Sequence, residues 1–441
     1  MAQAPSSNGN GHHPPSVAVS ALWERPVATP DGSATLLIRV VAPPDCRPGR
    51  RTPVDIAVVL DRSGSMNGEP LALAKQAVDA AAGHLRDEDR AALVVFDHEV
   101  DLLQPLGPAT PRAKAALRLA LHGIDAGGST DLGGGWLAGC RELAEAGASP
   151  ARSRRALLLT DGQANVGIVD PGALVRHAAE LRTRGISTTT LGVGLGFNEA
   201  LLQAMAEAGG GNYQFVERPE ELRAFFEAEL RELLGVVALG LSLEVGLPEG
   251  LRAVPVSAFP AERRGRTWTV AVGDVPAGEE IEIVFRLAVK GGQTGDELPA
   301  TVIAAWTDPT ADRRRTAAAD LPALVLAPAM EVERAIPDGR VAEALAVQTA
   351  AAERKRALEL DREGRTAESR RAMASARDVL AAAPMSDRVR FMVQDTQVLA
   401  DSAGPYDEAT RKRAAWEDER RRKNRRVERQ TGEGPGPGPG S

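Results

Sequence analysis

The sequence predicts a doubly wound α/β unit with a mostly parallel sheet, joined to an antiparallel β-sandwich and a C-terminal helical region. Three observations carry this. Apolar runs of strand length alternate with amphipathic helical stretches over residues 53–235. Short strands separated by Pro and Gly turns replace them over 236–329. From 330 to 430, Ala, Arg, Glu and Leu recur at helical spacing.

Size and composition agree. At 441 residues the chain is long enough for about three domains at roughly 150 residues each. It is 43% hydrophobic and 26% charged, as expected of a soluble globular protein, but only 3% aromatic, so its cores must be built from Leu, Val, Ile and Ala. A net charge of −7 spread over so many residues points to no special partner. The two cysteines, Cys46 and Cys140, lie in segments of different character and read as free thiols. The N-terminus lacks a basic start followed by an apolar stretch, and no run approaches the ~18 apolar residues of a membrane span. A cytoplasmic location is the resulting expectation.

Residues 1–15 read as a disordered lead and 431–441 as a Gly/Pro tail without a fold. Residues 16–52 read as strands, clearest at 33–41 after the turn at Asp31-Gly32. They are expected to pair with the later sandwich, which would make the α/β unit an insertion. Within that unit, buried strands are expected at 54–60, 90–96, 155–160 and 186–193. Helices are expected at 70–85, 111–122, 132–146, 171–184, 198–208 and 219–234. Sandwich strands are expected at 239–245, 266–272, 280–289 and 300–306. The stretch 351–372 reads as a helix, a Gly-containing turn and a second helix, with the flavour of a single tetratricopeptide-like pair.

In a parallel sheet, ligands gather at the carboxyl ends of the strands. Asp61 stands at such an end, and Asp61-Arg62-Ser63-Gly64-Ser65-Met66 presents a carboxylate and two hydroxyls at alternate positions. Asp161 ends the strand at 155–160, followed by Gly162. The loop Gly127-Gly128-Ser129-Thr130-Asp131 brings the Thr130 hydroxyl to the same edge. Hard oxygen donors on tight turns suit a hard divalent cation. Any one of these segments alone could be an ordinary turn or helix cap. All three in this order are far more specific.

Asp61, Ser63, Ser65, Thr130 and Asp161 together match the metal-ion-dependent adhesion site of von Willebrand factor A domains, and the chain resembles that family over roughly 53–235. The resemblance implies a Rossmann-like fold in which the two serines and the threonine ligate the metal while the two aspartates act largely through bound waters. Neutral hydroxyls next to the ion leave it much of its charge, so an open position favours an incoming carboxylate. The implied ion is Mg²⁺, with Mn²⁺ or Ca²⁺ as alternatives. The implied partner is a protein offering an Asp or Glu side chain. An AAA+ ATPase or a multi-component assembly is a further implication. More loosely, 274–280 resembles the sandwich of bacterial calcium-activated chloride channel-like proteins and of inter-alpha-trypsin inhibitor heavy chains.

Competing readings are weaker. Gly192-Val193-Gly194-Leu195-Gly196 lacks the full dinucleotide fingerprint and reads as the turn ending a strand. Asp97, His98 and Glu99 read as solvated loop residues, and His84, His122 and His177 as surface or capping residues. Residues 420–429 hold seven basic side chains in ten without interleaved aromatics, which favours a solvated helix end over nucleic-acid binding. The leading function is metal-dependent protein interaction, not catalysis. A metal-assisted hydrolase is the alternative, for which no general base or activated nucleophile is evident. A channel or transport subunit is the third reading.

Overall fold

The computed structural model describes residues 17–44, 51–147, 152–401 and 406–422. The expected lead at 1–15, Cys46 and the Gly/Pro tail lie outside these residues, as do the side chains of the basic stretch. The chain opens with β1 (Ala18–Trp23), β2 (Val27–Ala28) and β3 (Ser33–Val41).

It then enters the α/β unit. In order come β4 (Val54–Asp61), α1 (Glu69–Gly83), β5 (Arg90–Phe96), β6 (Val100–Pro108), α2 (Pro111–His122) and α3 (Leu132–Glu145). They are followed by β7 (Ser153–Thr160), α4 (Pro171–Thr183), β8 (Ile186–Val193), α5 (Glu199–Gly209), β9 (Gly210–Val216) and α6 (Leu222–Leu234). The six-stranded sheet runs β6-β5-β4-β7-β8-β9. Only β6, an edge strand, is antiparallel to its neighbour. Every residue of β4 and of β7 is buried, because helices cover both faces of the sheet. Leu71, Val78, Phe226 and Leu230 of α1 and α6 pack on one face, and Trp136, Leu174 and Leu202 of α3, α4 and α5 pack on the other. Helix α3 lies unusually close to the sheet. A methyl at Gly139 would come within 2.5 Å of Val59 Cγ2, so only glycine permits this approach.

The sandwich follows: β10 (Val236–Gly246), β11 (Leu251–Pro255), β12 (Ala261–Arg264), β13 (Thr267–Pro276), β14 (Glu280–Val289), β15 (Glu297–Leu298), β16 (Thr301–Asp308), β17 (Arg313–Ala318) and β18 (Leu324–Leu326). One sheet is β1-β3-β14-β11, the other β12-β13-β10-β16-β17, with a small sheet β15-β18-β2 beside them. β3 pairs antiparallel with β14 from Val41↔Glu280 to Ser33↔Ala288. Strands from before and after the α/β unit therefore share one sheet and one core, in which Leu36, Ile38, Leu243, Val245 and Phe285 are buried. Each such side chain contributes roughly 1.5–3 kcal/mol by leaving water. The chain leaves and re-enters the sandwich at one place, where Thr52 Oγ1 donates to Val236 O at 3.1 Å. Ser153 Oγ donates to Asp274 Oδ2 at 2.5 Å close by.

Among the described residues five helices follow: α7 (Ala329–Arg334), α8 (Gly339–Arg362), α9 (Thr366–Ala381), α10 (Asp387–Ala400) and α11 (Glu408–Arg422). Val341 and Ala344 of α8 pack on Leu37 and Val284, the outer faces of β3 and β14. That cover explains why β14 is buried almost continuously where a one-sided strand would alternate. Gly364, at φ +75°, makes the turn between α8 and α9. Among the described residues no helix is long and apolar enough to cross a membrane.

Candidate metal centre

Three loops meet at the carboxyl edge of the parallel sheet. Asp61 ends β4, where apolar neighbours leave it fully buried. Its carboxylate turns back into the chain, accepting from the Ser63 N–H at 2.7 Å on Oδ1 and from the Thr160 hydroxyl on Oδ2. Burial pushes the carboxyl up to about 6, and the charge of Asp161 adds to the shift, although the bonds from Thr160 and Ser63 oppose it. Asp161 is also raised, chiefly by burial.

The hydroxyls close the cluster. Ser65 Oγ donates to Asp161 Oδ1 at 2.7 Å, and Ser63 Oγ lies 3.3 Å from Ser65 Oγ. Gly162 locates the fifth residue. A methyl there would stand 3.3 Å from Thr130 Oγ1, 3.7 Å from Asp61 Oδ2 and 3.8 Å from Ser65 Oγ. Oxygens from all three loops thus surround one small space that glycine leaves open. Asp61, Ser63 and Thr130 are buried, Asp161 is half-buried, and Ser65 faces solvent. The structure brings all five predicted residues together.

Backbone bonds stitch the loops to each other. Gly127 N–H donates to Arg62 O at 2.7 Å, and Gly64 N–H to Gly128 O at 3.0 Å. Thr130 N–H donates to Asn165 Oδ1 at 2.8 Å, while the N–H groups of Asn165 and Val166 return to Thr130 O at 3.2 Å. Helix α3 then starts directly after Thr130, with Asp131 as its cap accepting from Gly134 N–H at 2.9 Å.

Asp97 corrects the expectation of a solvated loop. It is buried, and its carboxylate accepts from Glu99 N–H at 2.8 Å and Gly128 N–H at 3.2 Å, with Arg62 Nε 3.5 Å away. Burial pushes this carboxyl up, yet the backbone donors, Arg62 and His98 outweigh it and hold it below the usual range. Its backbone carbonyl also receives the Asp131 N–H at 2.6 Å. Asp97 therefore fixes both ends of the Thr130 loop. The available signal was the Gly127-Gly128 pair, since a methyl on Gly127 would run into the Asp97 carboxylate. His98 and Glu99 are exposed, as expected.

The family model for the von Willebrand factor type A domain matches residues 55–228. This segment is a von Willebrand factor type A domain. Domains of this family are typically metal-dependent protein-interaction modules. Over most of its length the chain is similar in fold to a solved von Willebrand factor type A protein from Catenulispora acidiphila. The TM-score is 0.75 and the identity 20%, covering 95% of this chain and 99% of that one. It is 28% identical over 250 residues to YfbK of Escherichia coli (strain K12), covering 54% of this chain and 42% of that protein. It is 28% identical over 194 residues to inter-alpha-trypsin inhibitor heavy chain H1 of Bos taurus, covering 42% of this chain but only 21% of the relative. The chain thus spans less than half of either relative. The expected AAA+ ATPase partner gains no support from these similarities.

The donor set of this von Willebrand factor type A domain fits a hard divalent cation. Two carboxylates, both raised chiefly by burial, and three hydroxyls gather beside the opening at Gly162, which Thr130 Oγ1, Asp61 Oδ2 and Ser65 Oγ line. Among the described residues no cluster of three or more His, Cys, Asp or Glu offers a rival centre. Cys140 is inert, because it is buried and its thiol is pushed up by that burial.

Proposed function

We propose that Asp61, Ser63, Ser65, Thr130 and Asp161 hold a divalent cation, Mg²⁺ by donor chemistry, and that the chain uses it to bind a carboxylate of a protein partner. The observation that carries this reading is the meeting of Thr130 Oγ1, Asp61 Oδ2 and Ser65 Oγ around the opening at Gly162, beside Asp161. With three neutral hydroxyls as direct ligands and the two carboxylates acting through waters, no charged group touches the cation, and an open position favours an incoming anionic oxygen.

Binding is favoured over metal-assisted hydrolysis because both carboxylates at the opening are taken up in holding the cation, which leaves none of the five residues as a general base. The test is an array of peptides carrying a single Asp or Glu, beside the same peptides with Asn or Gln, probed with the full chain. Retention that requires both the carboxylate and Mg²⁺, and that EDTA removes, is the expected result. Equal retention of the amide peptides, or retention in EDTA, would overturn the carboxylate reading.

A further inference from the structure

Lys412, in the middle of α11, is fully buried although its neighbours on the helix are mostly charged or exposed. Its ammonium donates to Leu195 O at 2.5 Å and to Phe197 O at 3.0 Å. Glu408 lies 3.0 Å away, one turn earlier on the same helix. The ammonium also stands 3.9 Å from the centre of the Phe197 ring. Two carbonyls and a carboxylate thus take the three donors of a group that is costly to bury unpaired.

The segment it grips follows β8. Phe197 fills the space above Gly192, where a methyl would come within 2.3 Å of the ring, and packs edge-on against Tyr213 with centroids 6.4 Å apart. Between the two carbonyls lies Gly196, which backs onto the candidate metal site. A methyl there would stand 2.8 Å from Asp161 O, and Gln163 Nε2 donates to Gly196 O at 3.4 Å. Residues 195–197 are therefore held between Lys412 on one side and the Asp161 loop on the other.

Helix α11 is itself anchored from two directions. Asp418 pairs with Arg354 of α8 at 2.8 Å, both side chains buried. Trp416 Nε1 donates to Gln214 Oε1 at 2.7 Å, and its ring meets Phe225 of α6 edge-on with centroids 6.1 Å apart.

We infer that Lys412 is a positioning residue for the metal site: by fixing the carbonyls of Leu195 and Phe197 it presses Gly196 against Asp161 and sets that carboxylate's place beside Ser65. The inference rests on the metal-binding reading of that site. It makes the C-terminal helices part of the binding machinery, since α11 reaches the site through one buried side chain.

The experiment compares the intact wild-type chain with Lys412→Met, which keeps the stem and removes the donors, and with Lys412→Gln, which keeps part of them. Arg413→Ala is the control, because Arg413 sits on the same helix and pairs with the exposed Glu217. Mn²⁺ affinity is read by electron paramagnetic resonance. Amide exchange over 161–163 and 194–198 is read in EDTA, independently of metal. Lys412→Met is expected to lower Mn²⁺ affinity about tenfold or more, as loss of an outer-shell support typically does. It should also speed exchange in both loops. Lys412→Gln should fall between, and Arg413→Ala should match the wild type in both readouts. If Lys412→Met does not fold, the Lys412→Gln chain carries the test alone. Wild-type affinity and exchange in the folded Lys412 variants would overturn the inference. Failure of the wild type to bind Mn²⁺ would instead overturn the metal-site reading and the inference with it, while exchange still reports whether Lys412 holds the loop.

Discussion

Ser65 and Asp161 are joined by a 2.7 Å hydrogen bond although 96 residues separate them in sequence. It links the turn after β4 to the turn after β7, two neighbouring strands of the parallel sheet. Ser65 is exposed, so a cation arriving there would exchange this bond for coordination by the hydroxyl. The polar cluster is thus self-satisfied on one side and open on the other.

Asp61 gives the first prediction. Its carboxyl is raised to about 6, mainly by burial, against 3.8 for the unperturbed group. A folded value above the unfolded one means that the relative stability from this group is fully present below about pH 4 and is lost as pH rises through about 6. At pH 7.5 in EDTA, Asp61→Asn should therefore unfold at a temperature equal to or above wild type, with a gain on the order of 1–3 kcal/mol. The advantage should vanish at pH 4.5. A variant less stable than wild type at pH 7.5 would contradict this.

Asp97 gives the second. Asp97→Asn removes the charge facing Arg62 and weakens the acceptors for Glu99 N–H and Gly128 N–H. Loss of hydrogen bonds to a charged group costs about 1.5–3 kcal/mol. Urea denaturation should show that loss, and Mg²⁺ affinity should fall as well because the Thr130 loop loosens. An unchanged denaturation midpoint together with unchanged Mg²⁺ affinity would show that Asp97 supports neither.

Glu229 tests the sheet that carries the site. It is buried on α6 and accepts from Arg155 at 2.7 Å, Thr189 at 2.7 Å and Asn212 at 2.8 Å, joining β7, β8 and β9. Burial pushes its carboxyl up, but Arg155, Asn212 and Thr189 prevail and hold it below the usual value. Its stabilisation is therefore present above the unfolded value of about 4.3 and lost as pH falls below it. Glu229→Gln should cost about 3–5 kcal/mol at pH 7 by urea titration. It should also flatten the wild type's loss of stability below pH 4.

Much of this organisation is legible in the sequence because burial on both faces writes itself as unbroken apolar runs, as in β4, β5 and β7. Within the six-stranded sheet two strands escape that signal. β6 carries Pro105, Gly107 and Pro108 and exposes Leu102, because an edge strand needs neither a full ladder nor an apolar face. β9 begins Gly210-Gly211-Asn212, which reads as a turn. Yet a methyl at Gly211 would come 2.2 Å from Thr188 O, so glycine is what lets β9 approach β8. The five oxygens of the site were readable because each follows a strand end or precedes a helix. Lys412 was not, since nothing local to a charged helix foretells that a remote loop will cover it, and Asp97 left its trace only in the distant Gly127-Gly128 pair.

Gly162 offers a geometric probe of the opening itself. Its backbone does not need glycine's positive φ, so Gly162→Ala should fold with little change in melting temperature in EDTA. The added methyl would crowd Thr130 Oγ1 at 3.3 Å and occupy the space that the oxygens surround. The shift in melting temperature on adding Mg²⁺ should shrink or vanish. A full wild-type shift would place the cation elsewhere.

The most direct measurement is calorimetric titration of Mg²⁺ into the EDTA-stripped full chain and into Thr130→Ala, with urea midpoints for both. The account predicts one site per wild-type chain, and an affinity at least about tenfold weaker in Thr130→Ala. The urea midpoints in EDTA should stay close. Absence of binding in the wild type, or equal binding by the two chains, would contradict it.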